Sequence, residues 1–329
     1  MEKRGCRGLP GSAAAVWLMG GLVLALSLLA GLHWGVLPVS WGDMFLWLRG
    51  KASPDTALVL ESLRLPRVLM AANAGAVLSL GGLAMQTVLR NPLAEPYILG
   101  LSGGAAVGVV SGLLLGLSTL ALQGCAFAGS LLTLALLFLL GARSRSGLLL
   151  SGVMLNAFCG AAILFLLSLA GESQASAALF WSMGDLGRCD MKTAMWVSFS
   201  LVPCFLFFLL SGHTMNLLLL GEESAQSLGV PVRRATLILL LLTSLMTSVI
   251  VAAVGPLGFV GLVMPQALRL LFGQDHRLLV PGCLLFGASF LIGCDLLSRA
   301  LPVQSELPAG VVTAMIGAPL FVLLLRRQL

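Results

Sequence analysis

Charge is what this sequence has least of. Only 10% of its 329 residues are Asp, Glu, Lys or Arg, against 58% hydrophobic, and the mean hydropathy is +1.03. Soluble domains carry about 25% charged residues. This composition cannot cover a water-facing surface, which excludes a soluble enzyme, a nucleic-acid-binding domain and a disordered tail. Histidine occurs three times, as His33, His213 and His276, far apart in sequence and near the ends of apolar runs. That spacing argues against a metal site. The seven cysteines contain no C-x-x-C pair and mostly lie in apolar runs, so buried inert thiols are expected in place of a disulfide frame. No G-x-x-x-x-G-K-[ST] is present, which excludes nucleotide binding through a P-loop. No nucleophile–base constellation stands out either, so no catalytic residue and no cofactor are assigned to this chain.

Long apolar runs fill the space that charge leaves. The charge-free windows of 17 or more residues are 8–42, 68–89, 96–142, 146–171, 193–221, 235–268, 278–294 and 307–325. A membrane-spanning helix needs about 20 residues. The 47-residue window 96–142 fits two spans, and Gly255-Pro256 divides 235–268 into a full span and a shorter one. The reading is an all-α polytopic membrane protein of about ten helices, one domain over 1–329. The helices fall roughly at 13–35, 62–89, 96–115, 119–140, 147–170, 193–211, 235–254, 257–272, 278–297 and 307–325. Lys3, Arg4 and Arg7 precede a first segment read as a retained helix, because no small-x-small cleavage site closes its apolar run.

The basic residues orient this bundle. With both termini cytoplasmic, Lys3, Arg4, Arg7, Arg90, Arg143, Arg145, Arg233, Arg234, Arg269, Arg277, Arg326 and Arg327 lie inside, which is 12 of the 19. Merging the two helices of 235–268 would reverse that majority, against the positive-inside rule. The +6 net charge is therefore mostly a topology signal. Trp34, Trp41, Trp47, Trp181 and Trp196 fall near predicted outer ends, where an aromatic belt belongs.

Several positions depart from this apolar background. Gly100, Gly104, Gly108, Gly112 and Gly116 recur every four residues, a helix-packing groove if the helix is continuous. Asn73, Gln86 and Asn156 are polar residues inside spans and candidates for lining a pathway. No acid sits at the predicted centre of a span; Asp295 and Glu306 border the last outer loop, which disfavours ion-coupled transport. The cytoplasmic loop 212–234 holds Glu222-Glu223-Ser224-Ala225-Gln226-Ser227-Leu228-Gly229, which reads as a short helix. Acids fill its first turn, Gly229 ends it and Pro231 prevents continuation. Arg64, Arg67 and Arg299 lie on the outer side, against the charge rule. They are either interfacial groups or acceptors for the carboxylates of an external protein.

Five segments carry a resemblance. They are Arg64-Leu65-Pro66-Arg67; Gln86 to Gly104 with Arg90-Asn91-Pro92-Leu93-Ala94-Glu95-Pro96; Gly221 to Gly229; Gly255-Pro256-Leu257-Gly258-Phe259-Val260-Gly261-Leu262-Val263-Met264-Pro265; and Leu307 to Ala314 through Gly317-Ala318-Pro319. Together they resemble the permease subunit of type II binding-protein-dependent ABC importers, the iron-siderophore, haem and cobalamin branch. The resemblance implies a type II permease fold in a bacterial or archaeal inner membrane and a homodimer with a second copy of this chain. It also implies two ATPase subunits holding ATP and Mg, and a substrate-binding protein on the outer side. A coupling helix maps onto Glu222–Gly229 and docking arginines onto Arg64, Arg67 and Arg299. The cargo implied is a metal chelate, a ferric siderophore before haem or a corrinoid, with ion-coupled or facilitative transport without an ATPase as the alternative. Where many relatives have Pro-His, this chain has Pro265-Gln266.

Overall fold

The helical run Pro54–Leu89 organises the molecule. In the computed structural model, which describes residues 13–35, 37–141, 145–187, 189–300 and 307–326, 89% of that run's apolar window is buried, against 11% for the first helix. Lys3, Arg4, Cys6, Arg7, Arg143, Arg188, Glu306 and Arg327 lie outside the described residues. The helices in chain order are α1 (Ala13–His33), α2 (Trp41–Leu48), α3 (Pro54–Leu58), α4 (Leu65–Leu89), α5 (Leu101–Leu114), α6 (Thr119–Gly141), α7 (Arg145–Ser168), α8 (Glu172–Ser182) and α9 (Met191–Leu210). They continue with α10 (Gly212–Leu219), α11 (Glu222–Ser227), α12 (Val232–Val254), α13 (Val260–Phe272), α14 (His276–Ala300) and α15 (Ala309–Arg326). No strand occurs among the described residues. Eight helices are long and apolar enough to cross a membrane, the run Pro54–Leu89 counting as one, and α5 and α13 are shorter apolar helices.

The second helix begins eight residues before the expected Ser62. A π-helical turn, Val59–Arg64, joins α3 to α4. Pro66 has no N–H for the carbonyl four residues back, and the Leu65 N–H reaches Leu60 O, five back. Charge could enter this helix because Glu61 and Arg64 have partners. The Trp47 indole donates to Glu61 at 2.9 Å, and Arg64 turns onto the carbonyls of Leu32, His33 and Leu37.

Small residues let α4 approach its neighbours, α14, α12, α13 and α9. A Cβ on Gly75 would lie 2.2 Å from Gly287 O of α14, and one on Gly82 would lie 1.9 Å from Gly261 O of α13. Backbone cannot retreat as a side-chain tip can. Gly82→Ala is expected to destabilise the bundle by about 1–3 kcal/mol. Gly124→Ala, where an added Cβ meets nothing within 4 Å, is expected to be neutral. Thermal unfolding of the two variants in detergent checks the contrast, and equal midpoints would refute it.

The expected glycine groove is shorter than its period suggested. Gly104 and Gly108 abut α6, with added Cβ atoms 2.0 Å from Thr133 Oγ1 and 2.1 Å from Cys125 O, and Gly112 meets Leu122. Gly100, at φ +81°, separates a 3-10 turn (Pro96–Leu99) from α5. Gly116 lies beyond the end of α5, with open space around it. The expected helix 96–115 is therefore broken at Gly100, and three of the five glycines pack within the helix.

Candidate functional site

The loop 212–234 is mostly helical. α11 starts after Gly221, with Glu222 and Glu223 in its first turn. It ends in a Schellman motif: Val230 N–H bonds Ala225 O, and Gly229 N–H bonds Gln226 O, both at 2.9 Å. Gly229 supplies the left-handed conformation at φ +86°. Ala225 is fully buried and seats the helix, while Glu222, Glu223, Ser224, Gln226, Ser227, Leu228 and Gly229 are exposed. An exposed leucine beside two acids and an amide, on a short helix with a closed C-terminus, suits a partner groove.

Two residues upstream, α10 is held by polar contacts. Asn216 Nδ2 donates to Asp275 Oδ1 at 2.7 Å. Burial pushes the Asp275 carboxyl up, but the Asn216 amide, the Arg277 N–H and the Arg277 charge together hold it below its ordinary value. An ionised Asp275 only accepts, so Asn216 Oδ1 must face the other way. There it takes His276 N–H at 2.9 Å and meets His276 Nδ1 at 2.7 Å. Nδ1 therefore carries a proton. The other ring nitrogen, Nε2, lies 2.8 Å from Thr87 Oγ1 on α4. Arg90, just past α4, donates twice to Leu218 O, at 3.1 and 2.6 Å. The sequence reading placed His276 only at a span end; the polar triplet Asp275-His276-Arg277 between two apolar runs was the available signal.

Gln86 bridges α4 and α13. Pro265 lies inside α13 and leaves Gly261 O without its helical donor. Gln86 Nε2 fills that vacancy at 3.1 Å, and Gln86 Oε1 accepts from Arg269. Gln266, the departure from the family pattern, is 1% exposed and donates to Pro92 O at 3.2 Å. Asn73 is also a tie, from α4 to Ala194 O at 3.1 Å and Ser198 Oγ at 2.8 Å on α9. Both buried amides are consumed inside the subunit. Asn156 differs: it is exposed on α7, beside Gly103. Tyr97 was missed as well; its hydroxyl accepts Leu257 N–H at 3.0 Å, joining the turn before α5 to the one before α13.

Arg64, Arg67 and Arg299, expected as interfacial groups or as acceptors for an external protein's carboxylates, turn largely inward in this subunit. Arg64 is 4% exposed and caps the end of α1. Arg67 and Arg299 flank Asp295, each at 2.8 Å. Burying an aspartate in a bundle calls for such counter-ions. The three arginines frame a pocket of about 110 Å³ with Gly35, Leu37, Val59 and Leu63. Among the described residues no group of three or more His, Cys, Asp or Glu could hold a metal. His33 stacks on Trp41 at 4.1 Å, and His213 meets Arg277 at 3.2 Å. Burial pushes the Cys189 thiol up to about 12, with Asp185 and Asp190 adding to the effect, so this loop thiol stays protonated and unreactive.

Comparison with known proteins agrees with this architecture. Residues 22–327 match the model of the FecCD transport family. The chain is 40% identical over 313 residues to the vitamin B12 import system permease protein BtuC of Escherichia coli O6:H1, covering 92% of this chain and 91% of that one. It is 40% identical over 309 residues to BtuC of Shigella boydii serotype 18, with the same coverage. A solved structure described as an inward-facing conformation of a metal-chelate type ABC transporter matches with a TM-score of 0.88 at 30% identity, over 95% of this chain and 99% of that one. PsaBC from Streptococcus pneumoniae, at 16% identity and a TM-score of 0.54 over 79% and 89%, shares the fold alone.

Proposed function

The chain belongs to the FecCD transport family, and from that premise we propose how it works. It is the membrane-spanning subunit of an ABC importer for metal chelates, a multi-pass protein of the bacterial inner membrane. The cargo we propose is a corrinoid. The 40% identity to vitamin B12 permeases over nine-tenths of both chains carries this choice, ahead of the ferric siderophore that the sequence reading ranked first.

Energy comes from a separate ATPase, which holds ATP and Mg and grips α11. The absence of a P-loop in this chain and the exposure of α11 around its buried Ala225 support that assignment. Two copies of this chain enclose one pathway, two ATPase subunits bind the inner side, and a substrate-binding protein docks outside. Three arginines line one outer pocket, a basic cluster suited to a docking surface rich in carboxylates. Asn156 is the pathway candidate that remains, because an exposed amide on an apolar helix is costly against lipid and favourable against water.

Transport follows by alternating access. ATP-driven closure of the partner subunits displaces α11, and the bundle exchanges an outward for an inward opening. Reconstitution with the ATPase and the binding protein in vesicles tests this: cyanocobalamin uptake should require hydrolysable ATP. Uptake by the purified chain alone would instead mark a secondary transporter.

A further inference from the structure

The junction between α10, α4 and α14 is unusual for this bundle. Between their ends these helices meet mostly through small or apolar side chains, yet here a chain of polar groups crosses three elements. It runs from Asp275 to Asn216, from Asn216 to His276 and from His276 to Thr87, with every donor–acceptor separation between 2.7 and 2.9 Å. His276 and Thr87 are essentially buried, at 0% and 1% exposed. Arg90 adds a second tie between the end of α4 and α10, on Leu218 O. Below these ties Met215 and Leu218 are buried on α10.

Apolar contacts permit sliding, whereas hydrogen bonds fix direction and register. α10 therefore cannot rotate or shift along α4 without leaving the His276 ring or the Asn216 amide unsatisfied in the interior, which is costly. α11 follows α10 after only Leu220 and Gly221. A push on α11 has two exits, through the Schellman turn into α12 and through α10. The second leads into α4, the most buried run of the chain.

We propose that Asn216, His276 and Thr87 are the positioning residues that transmit movement of α11 to α4 and α14. The inference rests on the coupling role given to α11 above and names the path by which that coupling enters the bundle. None of the three residues touches cargo or nucleotide in this scheme. Their removal should weaken transmission while leaving ATP hydrolysis running.

The test uses the reconstituted complex with its ATPase and binding protein, with cyanocobalamin as the probe, and compares uptake per ATP hydrolysed. Asn216→Leu and Thr87→Val should each lower that ratio about fivefold to tenfold. Thr87→Ser, which keeps the hydroxyl, should restore it. The double variant should lose no more than either single one, because links of one chain are not additive. Full coupling in both single variants, beside a coupled wild type, would overturn the proposal. So would an additive double variant. A wild type with no ATP-dependent uptake would count against the function proposed above and not against the link. The link has its own check, which needs no cargo: hydrogen exchange on the purified chain. Asn216→Leu should raise exchange across α10 and leave α6 unchanged, and unaltered protection of α10 would show that no tie exists.

Discussion

Asp295→Ala is expected to destabilise the outer end of the bundle by about 3–5 kcal/mol, the cost of removing one partner from a buried ionic cluster. Asp295 is fully buried, and its two arginine partners have side chains only 11% and 5% exposed. Without the carboxylate, Arg67 and Arg299 would face each other with Arg64 beside the same pocket. The Arg67 and Arg299 guanidinium groups would then each lose the ion pair that this carboxylate supplies. Asp295→Asn keeps the shape but loses the charge and should show most of the effect. The apolar triple variant Arg67→Met, Asp295→Leu and Arg299→Met should recover stability, since well-packed apolar groups often match or exceed a buried ion network. Thermal unfolding in detergent measures the series. A single Asp295→Ala variant as stable as wild type would mean that the arginines are solvated, contrary to the structure.

Gln226→Pro is expected to abolish ATP-dependent uptake while leaving the bundle's unfolding midpoint unchanged. Gln226 lies in the interior of α11 and is exposed. A proline there removes an N–H and clashes with the carbonyl four residues back, which costs about 3 kcal/mol or more. A six-residue helix cannot absorb that. Glu222→Pro is the matched control, because the first helical position tolerates the ring and its missing N–H. Measuring uptake and ATPase association for the pair separates loss of the helix from loss of a side chain. Normal uptake in Gln226→Pro would remove α11 from the coupling path.

These contrasts show how much was legible from the chain. Charge gaps located the apolar helices because a charge without a partner cannot enter lipid. The same rule failed at Glu61, whose partner Trp47 stands 14 residues away. α11 was readable since its signals are local: two acids in the first turn, a glycine past the end and a proline after it. The pairing of Arg67 was not legible because it depends on Asp295, 228 residues away. The bonds that Gln86 makes were hidden for a similar reason. Its role is set by a carbonyl that Pro265 leaves open on another helix, and no periodicity within α4 records that. The glycine stripe kept its period but not its helix, because the left-handed turn at Gly100 interrupts it.

α4 and α14 run antiparallel and touch at three levels: Thr87 with His276, Gly75 with Gly287, and Arg67 with Asp295. Polar pairs clamp the two ends, and backbone meets backbone between them. Held at both ends, the two helices would tilt together as one stiff beam, with the glycine crossing as the point from which its two arms are measured. At 1.5 Å per residue its arms are about 18 Å toward Thr87 and about 12 Å toward Arg67. A tilt of about 5° would swing the inner tip by about 1.6 Å and the outer tip by about 1 Å the other way. Opening at one membrane face and closing at the other would then be one rotation of a stiff beam, with no signal needing to pass from side chain to side chain along its length.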